Sequence, residues 1–85
     1  MGIPVVVYGA AACHLCHEAE ALLARLAPEL GLEVSAVDIT GDAALEATYR
    51  PEIPVVFVGG RKAYKYRVDE QDLRRRVERI RRAGA

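Results

Sequence analysis

Val5-Val-Val-Tyr-Gly-Ala-Ala-Ala-Cys-His-Leu-Cys-His-Glu-Ala-Glu20 joins a run that reads as a strand to a run that reads as a helix, with the chain's only two cysteines at the junction. Ile3 to Tyr8 is continuously apolar, with valine at 5, 6 and 7, the pattern of a strand buried on both faces. Gly9 to Ala12 is a short loop of small residues. From about His14 the apolar spacing turns helical: Leu15, Ala19, Leu22, Leu23 and Leu26 share one side, Glu18, Glu20 and Arg25 the other. Pro28 and Gly31 place the end of this helix near Ala27.

Leu32 to Ile39 alternates apolar and polar residues and reads as a second strand. A strand–helix–strand unit of this length implies a parallel pair with a right-handed crossover. Thr40-Gly41-Asp42 offers caps for a short helix from Ala43 to about Tyr49, which Pro51-Glu52-Ile53-Pro54 breaks. Val55 to Val58 is a third strand, Gly59-Gly60 a two-residue hairpin turn, and Lys62 to Arg67 a fourth strand. Asp69 caps a last helix, with Val68 and Leu73 at the staple positions and Leu73, Val77 and Ile80 as the apolar stripe. The order β-α-β-α-β-β-α predicts an α/β domain over 1–85 with one four-stranded mixed sheet and helices on both faces.

A chain of 85 residues has a modest core, but 52% hydrophobic residues make that core plausible without covalent staples. A disulfide spanning three residues closes too small a loop to stabilise much, so the cysteines are not scaffold. No basic n-region or apolar h-region follows Met1, and no apolar run reaches the roughly 20 residues of a membrane span. The cytoplasm is the expected compartment, and there a cysteine pair is more often catalytic or metal-binding than structural. Charge is uneven. Residues 1–60 hold two bases, Arg25 and Arg50, against eight acids, whereas residues 61–85 hold ten bases against four acids. A basic tail of this kind suits a solvated helix face. No glycine-rich phosphate loop and no aromatic platform for bases accompany it, so neither nucleic acid nor membrane is expected as partner, and the chain is expected to be a monomer.

Cys13 falls at the helix N-cap and Cys16 one turn on. Positions three apart in a helix hold Cβ atoms roughly 5–6 Å apart, and a disulfide wants about 3.5–4.5 Å. The non-helical backbone of a cap residue closes that gap. Unpaired first-turn N–H groups and the helix dipole favour a thiolate at Cys13, with His14 as a further source of charge. Cys16, beside Leu15 and Ala19, is expected to be the sheltered thiol, so the pair has the parts needed for disulfide exchange. Other chemistry uses the same spacing. Cys13 to His17 matches the attachment pattern of c-type haem, yet the only methionine is Met1 and the strand-rich order does not suit a helical cytochrome. Both cysteines and both histidines lie within 13–17 and do not easily converge on one metal from a single helical turn. A zinc or iron–sulfur carrier and a non-redox binding module stay as alternatives.

Tyr8 closing the first strand, Cys13-His14-Leu15-Cys16 at the next helix start and Glu52-Ile53-Pro54 opening strand three resemble a glutaredoxin, within the thioredoxin fold. The likeness spans nearly the whole chain and is nearest to small bacterial glutaredoxin-like proteins with a Cys-His-Leu-Cys pair. It implies a thioredoxin-like, four-stranded mixed sheet flanked by three helices, lacking the extra N-terminal strand and helix of thioredoxin itself. It implies a disulfide reductase with Cys13 as nucleophile and Cys16 as resolving cysteine. Pro54 is then a cis-proline facing the pair, and the Ile53 backbone pairs with a substrate chain. His14, Leu15 and Tyr8 are the other substrate-side residues. No cofactor is tightly bound. Glutathione is implied as co-substrate, with Arg50 and Asp69 as candidate contacts. Glutathione or a thioredoxin-type system is the implied reductant, and protein or small disulfides are the substrates. The chain departs from common glutaredoxins in having His14-Leu15 for Pro-Tyr, alanines for a lysine before the motif, and Tyr66-Arg67-Val68 where many carry Gly-Gly.

Overall fold

The computed structural model describes residues 2–84, so Met1 and the last position of the expected 1–85 domain lie outside them. β1 (Ile3–Gly9) leads through a short turn to α1 (His14–Leu30) and β2 (Leu32–Asp38). A short α2 (Ala43–Tyr49) and a 3₁₀ turn (Arg50–Glu52) precede the hairpin β3 (Val55–Val58) and β4 (Arg61–Lys65), and α3 (Glu70–Ala83) completes the chain. The sheet order is β2-β1-β3-β4. β1 runs parallel to β2 and antiparallel to β3, and β3 is antiparallel to β4. Gly59 and Gly60 both take positive φ, 59° and 84°, as a two-residue hairpin turn between right-twisted strands requires. The sheet is mixed and four-stranded, as the element order predicts, and the fold is the thioredoxin-like α/β architecture that the resemblance implies.

One face of the sheet holds the main core. Ile3, Val5 and Val7 of β1 meet Leu23 and Leu26 of α1 and Leu73 and Val77 of α3 in a single cluster. Each buried side chain of this size is worth about 1.5–3 kcal/mol. Leu23, Leu26 and Leu73 are fully buried, so these three fix α1 and α3 against β1 and β3.

The opposite face is thinner, and here β1 departs from its reading as a strand buried on both sides. Pro4 is exposed, and Val6 and Tyr8 are only half-buried. The cause is α2, which has seven residues, none of them buried. Its cover comes from Tyr49, whose ring stacks on Tyr8 at 4.5 Å, with Phe57 edge-on to both.

Two ends also shift. α1 continues a turn past Ala27, with Pro28 inside it. A proline removes one helical hydrogen bond, but the added turn lets Leu30 pack on the core. Gly31 then closes the helix at φ 68°, its N–H donating to the Ala27 carbonyl. Arg81 of α3 reaches back to donate to the carbonyls of Leu30 (2.8 Å) and Gly31 (3.3 Å). β4 stops at Lys65, short of the expected Arg67, because Tyr66 turns to φ 68°. Among the described residues no helix is long and apolar enough to cross a membrane.

Candidate active site

The first turn of α1 carries the sulfur pair. Cys13 is the N-cap, with extended backbone (φ −96°, ψ 110°). Its Sγ accepts the Cys16 N–H at 3.1 Å. Cys13 and Cys16 are joined in a disulfide with a Cα–Cα separation of 5.2 Å, within the usual range of such bonds. The extended cap residue thus closes the gap that a regular helical i, i+3 pair would leave. The Ala10-Ala11-Ala12 run is a turn, closed by the Cys13 N–H on the Ala10 carbonyl at 3.1 Å. It lifts Cys13 to a half-exposed position while Cys16 is 0% exposed. One sulfur faces outward and the other is sealed beneath it. An amide hydrogen aimed at the outer sulfur is the feature that stabilises negative charge there when the bond is open.

Cys16 rests on Gly9. A Cβ built at Gly9 would lie 2.9 Å from Cys16 Sγ and 3.0 Å from Cys16 Cβ, closer than side-chain carbons approach. The glycine that ends β1 is therefore required by the inner cysteine, a role the sequence does not display beyond placing a glycine before the motif.

The residues between and around the cysteines divide. His14 is 88% exposed and its Nε2 sits 3.1 Å from Glu18 Oε2, so it points along the helix surface. Leu15 instead lines a groove of about 240 Å³ between α1 and the β4–α3 connection, together with Leu22, Tyr66, Arg67 and Val68. Tyr66 is 44% exposed and holds a positive φ. A non-glycine residue in that region carries roughly 1–2 kcal/mol of backbone strain. Its N–H donates to the Pro54 carbonyl at 2.9 Å, which ties the groove wall to the proline segment. Glu18 spans the groove entrance, paired with His14 on one side and with Arg67 Nη1 at 3.8 Å on the other. Spacing and motif in the sequence do not mark Tyr66, Arg67, Glu18 or Gly9 as site residues. The only signal for the first two is their place where related sequences carry a glycine pair.

The Ile53–Pro54 bond is cis, Pro54 is buried and Ile53 is extended (φ −64°, ψ 145°). Tyr8 is elsewhere. Strand alternation places it on the face opposite Gly9 and Val7, in the ring cluster with Tyr49 and Phe57, so the structure does not bring it to the groove. Arg50 is held by Glu46 at 2.6 Å at the end of α2. Asp69 caps α3, accepting the Asp72 N–H at 3.0 Å, directly after the groove residue Val68. Glu52, before Ile53, is held below the usual carboxylate range by its hydrogen bond from Lys62, with Lys65 adding to the effect. Among the described residues no three His, Cys, Asp or Glu side chains group as a metal site.

Residues 4–78 match the family model described as "Glutaredoxin-like domain (DUF836)". The uncharacterized protein Rv0508 of Mycobacterium tuberculosis is 34% identical over 81% of this chain and 76% of its own. Among solved structures, protein Ne2328 of Nitrosomonas europaea superposes with a TM-score of 0.73 at 29% identity, covering 86% of this chain and 88% of that one. Thioredoxin 1 of Thermosipho africanus superposes with a TM-score of 0.67 at 10% identity over 95% of this chain and 97% of its own, a likeness of fold alone.

Proposed function

The chain belongs to the glutaredoxin-like family (DUF836), and from that membership we propose that it is a thiol–disulfide oxidoreductase in which Cys13 attacks a substrate disulfide and Cys16 resolves the mixed disulfide. The observation that carries this reading is the unequal setting of the two bonded sulfurs. Cys13 is half-exposed at a helix cap with an amide N–H directed at it, and Cys16 is buried one turn behind. Thiolate attack needs an accessible, charge-stabilised sulfur, and resolution needs a second sulfur already within bonding reach.

The groove beside Leu15 supports a substrate chain or a small thiol. Leu15, Leu22 and Val68 give it an apolar floor, and Arg67 adds a cation at the rim. Tyr66 projects where a glycine pair would leave open space, so the groove favours an extended peptide or glutathione held against an aromatic wall. Glutathione or a thioredoxin-type system is the reductant in this reading, with protein or small disulfides as substrates.

Two cysteine variants test it. Cys13→Ser abolishes reduction of a small disulfide by thiol, and Cys16→Ser accumulates a mixed disulfide on Cys13, read by intact mass. Full activity in both serine variants, or none in the wild type with any thiol donor, would overturn the assignment.

A further inference from the structure

We infer that Glu20 is the proton acceptor for Cys16, the group that converts the buried resolving thiol into its attacking form; the inference rests on the exchange reading above. Cys16 is 0% exposed, so once the disulfide opens its proton has no direct route to bulk water. A thiol must lose that proton before its sulfur attacks. Glu20 stands at i+4 from Cys16, on the same side of α1. The position a Cβ would take at Gly9 lies 2.9 Å from Cys16 Sγ and 3.9 Å from Glu20 Oε2. Sulfur and carboxylate therefore flank the same point beside Gly9, where residue 9 carries no side chain to stand between them. Glu20 also lines a cleft of about 220 Å³ on the side of the motif away from the groove, with Gly9, Ala10, His17 and Asp38. A proton taken from Cys16 has a way out there.

The charged groups facing this cleft are Glu20 and His17 from α1 and Asp38 from β2. Asp38 is already committed: its Oδ1 accepts the Thr40 N–H at 2.9 Å, and that bond holds its pKa below the ordinary aspartate value. His17 is exposed. Glu20 has no hydrogen bond or ion pair among the described residues, so its carboxylate is free to accept.

The step balances as follows. The Cys13 thiolate attacks RS–SR′, the Cys13–SR bond forms and R′S⁻ leaves. Glu20 takes the Cys16 proton, the Cys16 thiolate attacks Cys13 Sγ, and RS⁻ leaves as the Cys13–Cys16 bond forms. Two cysteine sulfurs are oxidised and the substrate disulfide is reduced. The protons released by the cysteines match those taken up by the two product thiolates. An external thiol reverses the second step, with Cys16 leaving as a thiolate and recovering its proton from Glu20.

Single-turnover reaction of the reduced protein with dithiobis(nitrobenzoate) separates the two events. A first coloured thiolate leaves when Cys13 attacks and a second when Cys16 resolves. Glu20→Gln is expected to slow the second release about tenfold or more at neutral pH, with the first within about twofold of wild type. The slowed step should then accelerate with rising pH where the wild-type step does not. The proposal is overturned if the second release in Glu20→Gln matches wild type across the pH range, or if Asp38→Asn slows it equally. A wild-type first release no faster than that of free cysteine would instead overturn the exchange reading itself, and the proposal with it.

Discussion

At the scale of the residue, the site depends on a side chain that is absent. Gly9 is buried under Cys16, and any Cβ there meets sulfur at 2.9 Å in a helix turn held by its own cap bond. Gly9→Ala should therefore destabilise the protein by about 1–3 kcal/mol, the usual cost of overfilling a packed interior. Urea unfolding of the oxidised protein checks this, and an unchanged midpoint would contradict the contact. Cys13 and Cys16 were legible from spacing alone, because a helix start imposes its unpaired N–H groups on whatever residue stands there. Gly9 was legible only as the end of a strand, since the sulfur it accommodates comes from the next element. Tyr8 and Tyr66 show the same limit. Both are tyrosines near a strand end, but pleat direction sends Tyr8 to the ring cluster, and a left-handed backbone sends Tyr66 to the groove.

At the scale of the element, starts were easier to read than stops. α2 and α3 begin where Asp42 and Asp69 cap them, each accepting an N–H three residues on, a local bond that local sequence encodes. α1 ends under a different control. Its last carbonyls are satisfied by Arg81, fifty-one residues away from Leu30, and that partner is in place only once α3 has packed. Arg81→Met keeps the apolar stem and removes the donors. It should lower stability by about 0.5–1.5 kcal/mol and speed amide exchange in the last turn of α1 more than in its first. Equal exchange at both ends would show that Gly31 alone closes the helix.

At the scale of the whole molecule, the uneven charge along the chain is resolved largely within the fold. Arg74 of α3 pairs with Glu29 of α1 and with Glu70, and Arg25 of α1 pairs with Glu70 at 2.9 Å. Lys62 holds Glu52 at 2.8 Å. The hydrogen bond from Arg74 keeps Glu29 and Glu70 below the ordinary glutamate range, with Arg25 adding to the effect on Glu70; Lys62 does the same for Glu52. Their folded-state values lie below their unfolded ones, so the stability they contribute is present above the ordinary carboxylate range. It is lost as pH falls through the depressed values. The alkaline side is set by Tyr64, whose pKa is pushed up from 10.0 to about 12 by burial first and then by its hydrogen bond to Asp72 (2.6 Å). That contribution is complete below pH 10 and disappears as pH rises to about 12. Urea midpoints across a pH series should form a plateau falling at both ends, and Tyr64→Phe should flatten the alkaline fall.

The amino-acid sequence by itself determined the element order, the hairpin turn, two aspartate caps and the place of both sulfurs at a helix start. Each of these depends on residues within a turn or a strand of one another. Tertiary structure alone decided which tyrosine reaches the groove, how far α1 continues past Pro28, that Gly9 seats the inner sulfur, and that Glu20 and Cys16 flank the same point beside Gly9. Those outcomes depend on which atoms of distant segments compete for the same volume, and that competition begins only when the sheet and its helices have come together.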